Sequence, residues 1–146
     1  MTEEDNMKNS EEFINACSEL NINCQLLSKT DSLTIISELK QRFNLKKISG
    51  HLALQDDSFK LPLEPNEFSF STLLKKESAY IFFDQENINK EEVLKFENAQ
   101  NLCSILENCF GMEYFLTNES LTYLIAVNWY VLEATGDVTA WLKRLE

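Results

Sequence analysis

The feature that most constrains the fold of this chain is a five-residue stretch, Ala79 to Phe83, in which every side chain is apolar or aromatic. Aromatic and β-branched residues favour extended strands, and polar residues, Ser78 and Asp84, bound the stretch on either side. The sequence therefore predicts a β-strand over these residues, with Asp84 at its carboxyl end.

Further apolar stretches predict more strands in the second half of the chain. The segment from Glu113 to Asn118 has aromatic and aliphatic residues on both sides, with Phe115 facing away from its two neighbours. A longer apolar run from Leu121 to Val127 is interrupted at Asn128 and continues from Tyr130 to Ala134. Because such a run is long for one strand, we expect a bend, a bulge or a tight hairpin near Asn128.

Two large aromatic residues, Trp129 and Tyr130, directly follow this interruption. If the segment stays extended, side chains alternate between the two faces, so we expect one of the pair to be buried and the other partly exposed. Trp and Tyr combine an apolar body with a polar tip and are common in protein interfaces. Both are therefore candidate partner-binding residues.

Apolar residues at helical spacing predict helices before, between and after the strands. Leu33, Ile36, Leu39, Lys40 and Phe43 define one side of the second of these. The predicted helices cover residues 10–20, a segment capped by Asp31 that ends at Asn44, residues 66–75, residues 98–110, and a last helix that Gly136 and Asp137 precede.

The region between the second predicted helix and the strand predicted at Ala79 has a mixed pattern. Residues 59–63 alternate as a strand does, but Pro62 and Pro65 restrict this segment to a sheet edge or a loop. The segment from Asp84 to Lys95 is interpreted as a charged connection with some helical character. The resulting fold class is α+β: N-terminal helices, a mostly antiparallel sheet with an interposed helix, and a C-terminal helix. We expect one domain over residues 1–146, with residues 1–8 flexible.

The chain is strongly acidic, with 24 acidic and 13 basic residues and a formal net charge of -11. Such a surface repels phosphate backbones and anionic membranes, so nucleic-acid binding and membrane binding are disfavoured. A basic protein partner is the natural complement. Colloidal solubility alone also produces an acidic surface, and that alternative stays open.

The four cysteines, Cys17, Cys24, Cys103 and Cys109, lack the spacing of a zinc site and lie among apolar residues. We therefore expect reduced core thiols, with no metal and no cofactor. The acidic N-terminus lacks the apolar region of a signal peptide, and no apolar run reaches the roughly 18 residues of a membrane span. A cytoplasmic location is expected.

Signals for catalysis are few. The single histidine, His51, leaves little basis for a nucleophile and base pair, and three scattered glycines cannot form a phosphate-binding loop. Carboxylate pairs occur at Asp56 with Asp57, Glu64 with Glu67, Asp84 with Glu86, and Glu91 with Glu92. Adjacent carboxylates diverge in a helix or a strand, so the two doublets do not converge. Asp84 is better placed, at the end of a strand, but it can equally turn the chain into solvent, and with 24 acidic residues some such pairs are expected. The sequence favours a binding protein over an enzyme.

Four carboxylates are candidate contacts for a basic partner because they lie at predicted turns or strand ends. They are Asp56, Asp57, Asp84 and Glu86. Together with Trp129 and Tyr130 they form the predicted partner-binding set.

The C-terminal half resembles small bacterial proteins encoded beside polymorphic toxins. The resemblance lies in Ile81-Phe82-Phe83, in Glu113-Tyr114-Phe115-Leu116 and in the segment from Tyr123 to Tyr130. The functional class is that of the immunity proteins of contact-dependent growth inhibition and related systems. The resemblance implies a cytoplasmic protein that binds one toxin domain, usually a nuclease, and blocks it. It includes no diagnostic motif, and no functional residue is carried over from it.

Two hypotheses follow from different classes. In the first, the chain neutralises a toxin domain, and its carboxylates mimic the nucleic acid that the toxin would engage. In the second, it is an accessory or regulatory protein that binds another protein or a small ligand.

Overall fold

The computed structural model describes residues 8–45, 54, 58–85, 91–109 and 111–146. Within these ranges helices and strands alternate irregularly along the chain. Their order is α1 (Asn9–Glu19), β1 (Cys24–Leu26), α2 (Lys29–Phe43), β2 (Phe59–Pro62), α3 (Leu63–Asn66), β3 (Ala79–Phe83), β4 (Val93–Phe96), α4 (Leu102–Leu106), β5 (Tyr114–Asn118), β6 (Tyr123–Val127), β7 (Val131–Gly136) and α5 (Val138–Leu142). Short 3₁₀ turns cover Phe70–Leu73, Ala99–Asn101 and Lys143–Leu145.

The seven described strands form one antiparallel sheet in the order β1-β4-β3-β5-β6-β7-β2. At its centre Phe82 pairs with Phe115, which in turn pairs with Ala126. The two strands that come first in the chain, β1 and β2, lie at opposite edges of the sheet. The α+β fold class is therefore confirmed, including its N-terminal helices and its C-terminal helix.

Helices cover both faces of the sheet. Residues from α1, α4 and α5 form one core with β-strand residues such as Ile81 and Tyr114. On the other face α2 packs through Ile36 and Leu39 against Phe82 and Phe115. Because both faces are covered, all residues of β5 and β6 are buried, and alternation with polar residues is lost there.

Aromatic pairs contribute to the core on each face of the sheet. On the α2 face the rings of Phe82 and Phe115 stack with centroids 4.8 Å apart. On the opposite face the Phe13 ring from α1 meets the edge of Phe96 at 5.4 Å, and Phe83 lies 6.4 Å from Phe13. These pairs add about 0.5–1.5 kcal/mol each beyond the area that they bury.

The strand predictions are confirmed in the second half of the chain. Strand β3 spans Ala79–Phe83 as predicted. In β5, Phe115 and Tyr114 face the cores on opposite sides of the sheet. A hairpin at Asn128 separates β6 from β7. Gly136 ends β7 at a φ of +87°, where an added Cβ would lie 2.4 Å from the Thr122 carbonyl oxygen. No side chain fits that position without displacing the backbone of the neighbouring strand.

Two strands contradict the sequence interpretation. The segment interpreted as a charged connection with helical character includes β4, and β1 was not predicted. Four-residue and three-residue strands carry too little pattern to detect in isolation. Their extended conformation depends on pairing, because β4 is bonded to β3 on one side and to β1 on the other.

The helix boundaries also differ from prediction. Ser28, not Asp31, caps α2: its Oγ accepts the Asp31 N–H at 3.1 Å, and Leu33 is 41% exposed instead of facing the core. Asn44 ends α2 in the left-handed conformation, as expected.

Two other predicted helices are shorter than expected. The segment predicted as a helix over 66–75 contains a 3₁₀ turn, and the segment predicted over 98–110 contains a 3₁₀ turn followed by α4. The backbone there follows tertiary contacts instead, since Ser71 Oγ accepts the Cys103 N–H at 3.1 Å.

Several predicted features lie outside the described residues: positions 1–7, His51, Asp56, Asp57 and Glu86. Lys8, at the end of the segment expected to be flexible, forms an ion pair with Glu92 at 3.2 Å. In the part of the chain that the structure describes, no helix has both the length and the apolar character to cross a membrane.

We expect Phe82→Ala to lower the free energy of unfolding by about 3–5 kcal/mol, because the fully buried ring stacks on Phe115 between the sheet and α2. Urea denaturation measures the change. Glu38→Gln, which alters an exposed i,i+4 ion pair with Arg42, is the control and should shift the value by about 0.5 kcal/mol or less. Equal stabilities of the two variants would contradict the assigned register of β3.

Candidate functional site

The hairpin between β6 and β7 is organised by one side chain, that of Asn128. Its Oδ1 accepts the backbone N–H groups of Tyr130 at 2.8 Å and Val131 at 2.9 Å. The Asn128 N–H donates to the Val131 carbonyl oxygen at 3.1 Å. This Asx-type turn takes Trp129 and Tyr130 out of the strand ladder and places them at the tip of the hairpin.

Both aromatic side chains at this tip are exposed, Trp129 by 51% and Tyr130 by 74%. The expectation that one of them would be buried is wrong. Alternation between two faces applies only to an extended strand, and these two residues form the turn itself. Trp129 and Tyr130 stay predicted partner-binding residues.

The exposed indole of Trp129 nevertheless has a defined position against the backbone. A Cβ built on Gly111 would lie 2.9 Å from Trp129 Cζ3 and 3.4 Å from Cη2. The indole edge therefore packs directly on the backbone at Gly111, on the segment that leads from α4 into β5. Only a residue without a side chain permits this approach.

The hairpin tip forms one wall of a groove, and the segment after β2 forms the other wall. The Leu63 N–H donates to the Tyr130 carbonyl oxygen at 3.3 Å, which joins this segment to the hairpin tip. Asn66 Nδ2 donates to the Pro62 carbonyl oxygen at 3.0 Å, and the Cys103 thiol donates to the Glu67 carbonyl oxygen at 3.4 Å. Phe68 projects from this wall and is 47% exposed.

The two walls enclose an open groove of about 510 Å³, which we call the acidic aromatic groove. Its lining residues are Leu63, Glu64, Pro65, Glu67, Phe68, Trp129 and Tyr130. None of them is basic. The side chains of Glu64 and Glu67 make no hydrogen bond or ion pair with any residue that the structure describes. Two carboxylates thus lie beside three exposed aromatic rings, and no residue that lines the groove is a cation.

A small cavity of about 20 Å³ lies beneath the groove and shares Glu67 and Phe68 with it. Tyr114 also lines this cavity, and its buried hydroxyl finds no hydrogen-bond partner among the described residues. Burial, and then the nearby Cys103 and Glu67, raise the pKa of Tyr114 well above its usual value. A volume of this size is enough for about one water molecule.

Asp84 lies at the same end of the sheet as the groove. It follows Phe83, which pairs with Tyr114, and Tyr114 pairs with Val127 immediately before the hairpin. Two strand spacings, about 10 Å, therefore separate the end of β3 from the end of β6. The structure thus brings Asp84 to the same end of the molecule as Trp129 and Tyr130. Asp56, Asp57 and Glu86 lie outside the described residues.

The sequence did not identify the second wall as a binding element. The sequence offers Glu64 and Glu67 only as a catalytic carboxylate pair, and it does not single out Phe68. The available signal was the pair of prolines, Pro62 and Pro65, which keep this segment out of the sheet interior and at the surface.

A second opening, of about 300 Å³, lies at the β1 edge of the sheet. It is lined by Asn23, Cys24, Gln25, Ser78, Lys95, Phe96 and Glu97. This lining contains one cation and one carboxylate and buries its single aromatic side chain, Phe96. It has neither the charge bias nor the exposed rings of the acidic aromatic groove.

The four cysteines are free thiols, of which Cys17 and Cys103 are buried. A hydrogen bond between Cys17 and Cys24 raises the pKa of Cys17 and lowers the pKa of Cys24. Burial, and then Glu12 and Glu19, raise the pKa of Cys109 to about 12. Among the described residues no group of three or more metal-ligating side chains is arranged to hold an ion.

Comparison of this chain with protein-family models, with curated proteins and with solved structures finds no match. The groove must therefore be interpreted from its own chemistry.

We expect Gly111→Ala to displace the Trp129 indole, because the new Cβ would overlap its edge. In a ¹⁵N–¹H NMR spectrum the Trp129 indole N–H signal should shift while that of Trp141 stays in place. Overpacking of a core costs about 1–3 kcal/mol in the free energy of unfolding. Because the half-exposed ring can move outward, the loss should be smaller here. An unchanged Trp129 signal would contradict the contact with Gly111.

Iodoacetamide should modify Cys24 first of the four thiols, as measured by peptide mapping in native buffer. Only the thiolate reacts, and the lowered pKa of Cys24 means that its rate rises at a lower pH than that of an ordinary thiol. The other three thiols should react more slowly near neutral pH. The pKa of Cys109 is raised to about 12, and the pKa values of Cys17 and Cys103 are also raised. Faster labelling of Cys109 than of Cys24 would refute this order.

Proposed function

We propose that this chain is a binding protein that recognises a basic protein domain through the acidic aromatic groove and neutralises it, as an immunity protein neutralises its toxin. One observation carries the proposal: three exposed aromatic rings, of Phe68, Trp129 and Tyr130, stand beside two carboxylates that have no cation among the described residues. The resemblance of the C-terminal half to immunity proteins supplies the expected class of partner.

The aromatic content supports a protein partner. Trp and Tyr dominate interface energetics because each offers a large, stiff contact area with a polar tip. Monomeric proteins expose such side chains singly, whereas three neighbours that line one groove are typical of an interaction site.

The groove is also preorganised. Asn128 fixes the hairpin tip, Gly111 receives the Trp129 indole, and the Cys103 thiol holds the Glu67 backbone. Side chains that are already ordered lose less conformational entropy on binding, which is a cost of about 0.5–1.5 kcal/mol for each side chain that must be immobilised. The geometry therefore favours recognition without rearrangement.

Charge supports a basic partner. The net charge of -11 produces a negative field around the molecule, and no lining residue of the groove opposes it. Such a field accelerates the approach of a positively charged protein surface. A nuclease domain that binds nucleic acid presents such a surface, which is why this class of toxin fits the proposal.

One observation favours the alternative, an accessory or regulatory protein that binds a small ligand. The groove volume of about 510 Å³ falls within the about 300–1,000 Å³ typical of small-molecule sites. Metabolite binding should then stabilise the chain against heat, and that stabilisation should be lost in Trp129→Ala.

The test begins with capture of the partner. The wild-type chain and Trp129→Ala/Tyr130→Ala serve as parallel baits in extract of the source cell, and Leu33→Ala, which trims an exposed apolar side chain on α2, is the matched control. A protein held by wild type and Leu33→Ala but not by the groove variant is then co-expressed with each chain. Rescue of growth from a toxic captured protein, by wild type and Leu33→Ala only, is the expected result. A captured protein that is not toxic, or rescue that survives the groove substitutions, would contradict the proposal.

We expect Glu64→Gln/Glu67→Gln to slow association with the captured partner by about threefold or more at low salt, and to change dissociation less. Raising the salt to physiological strength should slow the wild type in the same way, since screening acts beyond about 8 Å. Stopped-flow mixing measures both effects.

The control for this prediction is Glu38→Gln/Glu119→Gln, which removes the same charge from α2 and from the opposite end of the sheet. If both double variants slow association equally, net charge alone directs the encounter and the groove has no special role.

A further inference from the structure

The acidic aromatic groove combines two kinds of recognition surface that few side chains match at once. Its rings offer flat π-faces, and Glu64 and Glu67 offer carboxylate oxygens without a partner among the described residues. We propose that the groove is a receptor for a single arginine side chain of the partner, whose guanidinium lies against the aromatic rings and is hydrogen-bonded by the two carboxylates. This inference rests on the proposed function and specifies its anchoring contact.

The match follows from the shape of the guanidinium group. It is planar, carries its charge at any physiological pH, and presents donors in a fork that fits a carboxylate in a bidentate way. It also stacks on aromatic rings and is more weakly hydrated than an ammonium group, so it loses less on entering a partly apolar groove. A lysine satisfies the charge but not the planar stacking.

Other side chains fit less well. A phosphate or a carboxylate would meet Glu64 and Glu67 with no cation among the lining residues. A purely apolar side chain would cover those carboxylates and remove their water without replacing its hydrogen bonds. The groove thus selects for a cation and, among cations, for a planar one.

Another indole of this protein, that of Trp141, has a cation over its ring. The Lys75 ammonium lies 5.2 Å from the ring centroid of Trp141, which is a cation–π contact within the chain. Among the described residues Trp129 has no such cation, although its ring is 51% exposed. No cation among the described residues completes this second site, and the proposed arginine of the partner would supply one.

The test is an NMR titration of the full chain with three capped peptides, acetyl-Gly-Ser-Xaa-Ser-Gly-amide, in which Xaa is arginine, lysine or citrulline. Citrulline has nearly the shape of arginine but no charge. The Trp129 indole N–H signal, assigned with Trp129→Phe, reports on the groove, and the Trp141 signal is the internal control. We expect millimolar binding of the arginine peptide, binding of the lysine peptide weaker by about threefold or more, and no measurable binding of citrulline.

Two variants make the test specific. Glu64→Gln/Glu67→Gln should weaken the arginine peptide by about fivefold or more, whereas Glu38→Gln/Glu119→Gln should leave its affinity within about twofold. Equal affinities for arginine and lysine would overturn the proposal, as would binding of citrulline or shifts confined to Trp141.

Failure of this inference is distinguishable from failure of the proposed function. If groove substitutions abolish capture and rescue while the arginine peptide does not bind, the binding function stands and the arginine anchor is wrong. If the arginine peptide binds as expected while Trp129→Ala/Tyr130→Ala still rescues growth, the anchor chemistry stands and the proposed function is wrong.

Discussion

The pairing of β3 with β5, and of β5 with β6, is the interaction on which the rest of this structure depends. These strands are covered on both faces, by α2 on one and by α1, α4 and α5 on the other. The stacked rings of Phe82 and Phe115 and the packing of Phe13 hold those layers in place. Because the sheet is fixed from both sides, the segments that leave its ends start from defined positions. The acidic aromatic groove is assembled from such segments.

The groove is built from parts of the chain that are distant in sequence but anchored to neighbouring strands. The hairpin after β6 presents Trp129 and Tyr130, the segment before β5 supplies Gly111 beneath the indole, and the segment after β2 supplies Glu64 and Phe68. The Asn128 side chain holds the hairpin, and the Leu63 N–H joins the segment after β2 to it by donating to the Tyr130 carbonyl oxygen. The side chains of Glu64 and Glu67 make no described hydrogen bond or ion pair, so they line the groove without adding such bonds to the fold. The proposed binding residues thus lie on segments that leave a rigid scaffold, which is a common arrangement.

The acidity of the chain becomes informative only when its carboxylates are compared with one another. Several are matched within the protein, as Glu92 is by Lys8, Glu91 by Lys29 and Glu119 by Lys95. Glu64 and Glu67 differ because they lack a described cation and lie beside exposed aromatic rings. Colloidal solubility explains dispersed surface charge, but it gives no reason for two carboxylates without a described cation to line the same groove as Trp129.

The sequence by itself determined the α+β class, the strand from Ala79 to Phe83 and the break at Asn128, because these depend on local propensity and on the turn chemistry of one side chain. Other features were decided only by tertiary structure. The strand from Val93 to Phe96 is extended because it pairs on one side with the nearby β3 and on the other with β1, which is remote in the chain. The groove likewise required Glu64 to meet Trp129, across more than sixty intervening positions, through the pairing of β2 with β7. No local pattern encodes such a meeting, since its physical cause is the register of the sheet.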